Sequence, residues 1–428
     1  MHEHLPGPSV LNARRHDATT PRRHDGRGRP DPIRAITRFP GQTRPMPLAP
    51  PTTSTRRDRV LPLDGLRTIA IAFVVLYHLH VPGFGSGFVG VNVFFVLSGY
   101  LITTLLVGEH ARTGRIRLGR FWVRRVLRLY PTLLAVVVVG VLVWPLVGDY
   151  QGSEMSALGA AAVAVTYTGN VARSFLGESQ GVFSPMWSLS MEEQFYLVWP
   201  PLLMLLLAVA ATRRVAVAVL GALVVASVVA SGVLFDAPAG GATPDIYFSP
   251  VLNVAPLLLG CALAMVLGSD RGRAVFRSRV GTAATWVGLV GVVGSLAVIG
   301  SGWQQQAITF TVLLPGVALA SALLIGGLVS RPSWPARLLS LGPVAWAGRA
   351  LSYPLYLWHV VFIALLEPLV PGVAGKVAVL AASIGTAYLS HRFVERPALR
   401  LKDRFEPSSR RTEQRAADRD ESRQLTNA

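Results

Sequence analysis

Cysteine is almost missing from this chain. Among 428 residues there is one, Cys261, so no disulfide can close within the chain and no zinc site can be built from cysteines. Charge is scarce as well, at 15% of residues, and it leans one way, with 41 Lys and Arg against 23 Asp and Glu. A soluble globule carries about a quarter of its residues as charges, so that class is excluded. Lysine occurs only at positions 376 and 402, an arginine bias that we take as a trace of GC-rich coding. H-E-x-x-H and P-loop strings are missing, and no G-x-G-x-x-G stands in the strand-to-helix place that phosphate binding needs. His78 and His80, two apart, diverge on a helix and make a poor metal pair, so no metal is expected.

Apolar sequence, by contrast, is abundant. Hydrophobic residues make up 51% of the chain and mean hydropathy is +0.45, which implies an all-α, polytopic bundle of transmembrane helices. A net charge of +18 would also suit nucleic acid. The basic residues, however, fall in short clusters between apolar runs and at the two ends, as the positive-inside rule expects. The lipid bilayer is therefore the expected partner, and nucleic acid is not.

Three regions follow. Residues 1–59 lack apolar periodicity, and the first sixty positions hold twelve arginines against five acids, so they read as a disordered cytoplasmic tail. They do not read as a signal peptide, because the first apolar run starts only near Val60 and is long enough to stay in the membrane. Residues 60–400 form the membrane domain, and 401–428 a second polar cytoplasmic tail.

Ten runs are long enough to span, near 61–80, 87–107, 126–147, 190–210, 214–235, 249–268, 280–300, 307–329, 351–370 and 374–393. An eleventh, "SALGAAAVAVTYTGN" at 156–170, is short and broken by Thr, Tyr and Asn. If it does not cross, the clusters "RTGRIRLGRFWVRRVLR", "TRR", "DRGRAVFRSR", "RPSWPAR" and "HRFVERPALRLKDR" all share a side with the basic N-terminal tail. The opposite loops then hold little beyond Arg173 and Lys376. Ten spans with both termini cytoplasmic and 156–170 re-entrant or buried is the expected topology.

Ionisable residues inside a bilayer are costly and usually face the bundle interior. In "LDGLRTIAIAFVVLYH", Arg67 and His78 are eleven steps apart, which puts them about 16 Å apart along a helix and nearly on one face. Arg67 reads either as an interfacial anchor or as part of a site, and His78 either as a core histidine or as a general base. Arg125 and Arg128 share a helix face at the start of the third span, either as positive-inside decoration or as a two-point holder of phosphate. In "WSLSMEEQ", at the outer start of the fourth span, Ser190 and Glu193 have capping-box spacing, and Glu192 has no such explanation. Trp187 and Trp199 read as interfacial belt residues, or as aromatics beside a catalytic carboxylate. His359, eight residues into its run, is expected in the inner half.

These pieces resemble the membrane-bound acyltransferase 3 family. The matching strings are "LDGLRTIAIAFVVLYH", "GFVGVNVFFVLSGYLITTLL", "RFWVRRVLRLYP", "WSLSMEEQFYLVWP", "GRALSYPLYLWH" and "HRFVERP", in the family's order across roughly residues 60–400. The resemblance implies transfer of an acyl group, often acetyl, from cytoplasmic acyl-CoA to a hydroxyl of a carbohydrate, lipid or macrolide-type acceptor. It implies donor-binding roles for Arg125, Arg128 and Arg67, the last alternatively stabilising charge on the thioester oxygen, and catalytic roles for His78, as general base or brief acyl carrier, and for Glu192 and Glu193, either acid orienting His78 or relaying its proton. Trp187, Ser188, Tyr353 and His359 join them as further site candidates, His359 as the family's late histidine. Asn92 stands where the family often has an acid, and Asn253 and Ala255 stand where an Arg and an Asp are common. The extracytoplasmic hydrolase-like domain of some members has no counterpart here, so a hand-off to one would need a separate chain. A transporter or flippase, and a non-catalytic scaffold, are the competing readings. No internal repeat favours the first, and the retained ionisable residues speak against the second.

Overall fold

The computed structural model describes residues 60–147, 152–153, 155–235, 245–298 and 306–402. The expectations for tail 1–59 and for nearly all of tail 401–428 lie outside them. Among the described residues the chain is all helical, and nine helices are long and apolar enough to cross a membrane, or ten if one bent pair counts as a span.

The first helices are α1 (Leu61–His78), α2 (Gly90–Thr113) and α3 (Leu118–Val147). Two short ones follow, α4 (Ala157–Val165) and α5 (Gly169–Leu176), then α6 (Met186–Val209), α7 (Arg213–Leu234) and α8 (Pro250–Leu267). Beyond them lie α9 (Asp270–Arg277), α10 (Arg279–Val298), α11 (Leu314–Ser330) and α12 (Trp334–Leu339). The last are α13 (Gly342–Ala350), α14 (Ser352–Leu366), α15 (Gly372–Ser390) and α16 (Arg396–Lys402), with a π-helical turn, His391–Glu395, between the final two.

Close backbone contacts fix the helices that carry the polar residues. Where α2 crosses α8, a methyl group on Gly99 would fall 1.9 Å from the carbonyl oxygen of Leu257, and one on Gly260 would fall 2.2 Å from that of Val96. Without a hydrophobic drive between helices in lipid, such small-residue contacts are what holds them together. Likewise Gly348 meets the Asp64 carbonyl and Gly65 meets that of Leu339, while Thr68 Oγ1 donates to Val344 O at 2.6 Å. The turn of α1 that bears Arg67 is thus clamped against α12 and α13.

The ninth expected span begins earlier than its hydropathy suggests. α13 and α14 meet at a bend of 66°, and together they cover residues 342–366. Pro354 explains the break, because it has no N–H for the Ala350 carbonyl and its ring crowds that oxygen. His359 accordingly lies seventeen residues into the bent pair rather than eight into a run.

Residues 156–170 form no helix long enough to cross a membrane. α4 and α5 have nine and eight residues, and Tyr167 between them takes a φ of +53°. Gln194 on α6 holds this link through reciprocal amide hydrogen bonds with Asn170 and a 2.8 Å bond to Tyr167 O.

Candidate functional site

The run "WSLSMEEQ" lies well inside a helix. α6 starts at Met186, four residues before the expected span, and its N-cap Pro185 makes no side-chain bond. The capping box of Ser190 and Glu193 is therefore not formed. Ser190 Oγ instead donates to Met186 O at 3.0 Å and accepts from Gly169 N. Helical spacing then sorts the polar residues onto two faces. Ser190 and Gln194 hold the α4–α5 link, while Ser188, Glu192 and Tyr196, four apart, face a cavity.

Arg67, Arg125 and Arg128 line the same cavity from α1 and α3, with Ser98, Tyr353 and Tyr356 beside them. Its remaining wall is largely apolar, including Val91, Phe94, Phe95 and Leu129. The Arg pair and the α6 acid thus meet across one space instead of standing at opposite membrane faces. The reason is that α3 begins about two turns before the expected span, so both arginines sit within it.

Charge balance in this cavity is uneven. Arg67 has Asp64 at 3.5 Å. Arg125 stacks its guanidinium 3.5 Å over the Tyr196 ring, and among the described residues neither Arg125 nor Arg128 has a carboxylate within 4.0 Å. Glu192 is held by neutral donors, with Ser98 Oγ donating to it at 2.8 Å and Tyr196 Oη at 3.3 Å. Glu193 does not line the cavity, and one of its buried oxygens finds no hydrogen-bond partner among the described residues. Glu395, from the π-helical turn, accepts from Thr132 at 3.3 Å and pairs with His391 at 2.9 Å.

Ser188 and Tyr356 connect this cavity to the two histidines. Their oxygens are 2.6 Å apart, and Tyr356 Oη donates to Pro185 O, so the serine must donate to the tyrosine. One turn on, His359 Nδ1 lies 2.8 Å from Tyr356 O, and its Nε2 lies 3.3 Å from His78 Nδ1. His359 is fully buried, whereas His78 is partly exposed at the end of α1. His80 turns away into a left-handed backbone and its carbonyl accepts from Lys376.

Several expectations need correction. His78 contacts Val74 O and His359, and among the described residues no hydrogen bond joins it to Glu192 or Glu193. The structure therefore gives no direct contact for the expected acid partner. Trp187 and Trp199 are not belt residues. Trp187 is buried against Phe95, Tyr247 and Phe248, and the Trp199 indole N–H is satisfied by Thr103 Oγ1 at 2.9 Å. Tyr353 does line the cavity, with its hydroxyl tied to Leu129 O at 2.7 Å.

Ser98, Tyr196 and Tyr356 were not singled out by sequence. Their signals were nonetheless present, since Tyr196 follows Glu192 by four, Tyr356 precedes His359 by three, and Ser98 is polar within an apolar helix.

Comparison with known proteins places the chain. The acyltransferase domain family profile matches residues 61–391. The peptidoglycan O-acetyltransferase OatA of Listeria monocytogenes is 30% identical over 358 residues, 81% of this chain and 57% of that protein. The O-acetyltransferase OatA of Staphylococcus aureus is 30% identical over 352 residues, 79% of this chain and 57% of its own length. The chain thus spans a little over half the length of these relatives. No solved structure matches it significantly. With the family's domain covering all of the helices that build the cavity, this multi-pass membrane protein belongs to the acyltransferase 3 family.

Proposed function

We propose that this protein moves an acetyl group from acetyl-CoA, bound from the cytoplasmic side, to a hydroxyl of a surface glycan. The observation that carries this reading is the pair Arg125 and Arg128, two guanidiniums in a bundle cavity with no carboxylate within ion-pair distance among the described residues. Leaving such charges unpaired at bilayer depth is costly, and an anionic ligand removes the cost. Forked guanidiniums suit phosphate oxygens in particular. Arg67 joins them and is free to exchange its long contact with Asp64 for the ligand.

The dimensions favour a long-armed donor. Arg67 and His78 are separated by about 16 Å along α1, so a molecule engaging both must hold its phosphates and its reactive carbonyl about that far apart. Coenzyme A does so through its pantetheine arm. His78 then serves as general base, taking the proton of the acceptor hydroxyl as its oxygen attacks the thioester carbon. The carbon–sulfur bond breaks, and the leaving sulfur takes the proton back from His78 as the free thiol of coenzyme A. Glu192, which lines the cavity with the arginines, offsets part of their charge. The relatives' names support a glycan acceptor, since the Listeria protein is called a peptidoglycan O-acetyltransferase.

The test is mass spectrometry of cell-wall glycans, lipids and secreted metabolites from a deletion strain complemented with wild type or His78→Ala. Loss of one acetyl unit from a glycan, restored by wild type alone, is the expected result. Unchanged acylation in every fraction would overturn the reading.

A further inference from the structure

We propose that His359 is the positioning residue of the catalytic base: it accepts the Nδ1 hydrogen of His78 and thereby leaves the Nε2 lone pair of His78 open toward the hydroxyl to be acylated. This rests on the proposed role of His78 and adds a function for its neighbour. The assignment follows from which atoms can donate. His359 Nδ1 lies 2.8 Å from Tyr356 O and 3.2 Å from Leu355 O, and carbonyl oxygens only accept. The hydrogen of neutral His359 is therefore on Nδ1, and its Nε2 carries a lone pair. That lone pair faces His78 Nδ1 at 3.3 Å, and His78 Nδ1 also lies 2.9 Å from Val74 O. Both neighbours of His78 Nδ1 are acceptors. Only a hydrogen on that nitrogen satisfies them, so the second nitrogen of His78 is the basic one.

The arrangement does what the carboxylate does in a Ser-His-Asp triad, with a neutral ring in place of the acid. It selects one tautomer and fixes the plane of the base. When His78 takes a proton at Nε2, its Nδ1 hydrogen becomes a stronger donor to both acceptors. A neutral partner also avoids placing a carboxylate at a site that no cation in contact would balance. His359 itself is fully buried on α14, and its orientation is set by its own helix through Tyr356 and Leu355. A residue serving only to fill that space would need neither ring nitrogen, and leucine would do.

The measurement is steady-state transfer by full-length protein in detergent with acetyl-CoA and a soluble glycan fragment, comparing wild type, His359→Leu, His359→Gln and His78→Ala, with thermal melting of each. Glutamine places an amide oxygen near the position of Nε2. We expect His359→Leu to lower kcat by about 10- to 100-fold with the KM for acetyl-CoA unchanged. His359→Gln is expected to recover most of that loss while both variants melt near wild type. Wild-type kcat in His359→Leu would overturn the proposal, as would equal loss in both variants at unchanged melting temperature. If both melt early, kcat measured below the lower melting point decides by the same criterion. Failure of the general-base reading is separate, and would appear as turnover by His78→Ala.

Discussion

The two ends of the polar interior handle their ionisable groups in opposite ways. Around Arg67, Arg125 and Arg128 the bundle gathers three fixed positive charges and gives the latter two no carboxylate in contact among the described residues. Around His78 and His359 it gathers two titratable rings, binds them to backbone carbonyls and to each other, and among the described residues brings no fixed charge into contact. On the proposed function, the first holds an anion and the second keeps a nitrogen lone pair available. A transferase that receives a phosphorylated donor and must deprotonate an alcohol needs both, and needs them apart, because cations beside the base would disfavour its taking a proton.

If that division holds, the two ends fail differently. The largest effect is expected at His78, where alanine should lower transfer by roughly 10²- to 10⁴-fold, the usual contribution of a general base. Binding of a non-hydrolysable acetyl-CoA analogue, followed by calorimetry, should be unchanged. Loss of analogue binding in His78→Ala would mean that the two regions form a single donor site.

Next in size is the Arg125→Ala, Arg128→Ala double variant. Each guanidinium-to-phosphate bond is worth about 1.5–3 kcal/mol, so affinity for acetyl-CoA should fall at least 100-fold while any residual turnover keeps its pH profile. Lysine at both positions should restore part of the affinity, since it keeps the charge and loses the two-point fork. Unaltered affinity in the alanine variant would return these residues to membrane-boundary decoration.

Glu192→Gln tests the boundary between the regions. The amide keeps an oxygen for Ser98 and Tyr196 but removes the one carboxylate that, among the described residues, lines the cavity with the arginines. Donor affinity should rise by a few-fold, because the cations lose an internal competitor, and turnover should change less than in His78→Ala. A loss as deep as that of His78→Ala would make Glu192 part of the proton path.

Much of the division was legible beforehand. Arg67, His78, Arg125, Arg128 and Glu192 stood out because a charge or an imidazole in an apolar run is rare and has a cost. The number of spans was legible too, since loop charge and run length both constrain it. Depth was not. Helix α6 begins four residues early and the ninth span is two helices joined at Leu351, and both shifts move polar residues by a turn or more relative to their partners. Hydropathy locates the apolar stretch of a span but not the first hydrogen-bonded turn, so it does not set Glu192 level with Arg125 and Arg128, or His359 level with His78. Partners on other helices were hidden for a related reason. The contacts of Ser98 with Glu192 and of Ser188 with Tyr356 join helices far apart in sequence, whose crossing geometry no single run contains.

The smallest expected effect concerns the departure from the family at the start of α8. Asn253 Nδ2 donates to Tyr247 O at 2.7 Å and to Ser249 O at 3.0 Å, so it ties the turn carrying Tyr247 and Phe248 to its own helix. That turn packs against Trp187, one residue from the Ser188 that faces the cavity. Asn253→Ala removes two hydrogen bonds to carbonyls and should cost about 1–3 kcal/mol of stability, read as an earlier thermal unfolding. Acetyl-CoA affinity should stay unchanged, since the arginines are held by α1 and α3. The informative quantity is the KM for acceptor. If it stays constant while stability drops, the asparagine is a local brace, and the missing Arg and Asp pair served a similar structural end in other members. If it rises several-fold in protein that is still folded, the α8 turn reaches the acceptor, and the His78 end of the interior is then a recognition surface as well as a place for proton transfer.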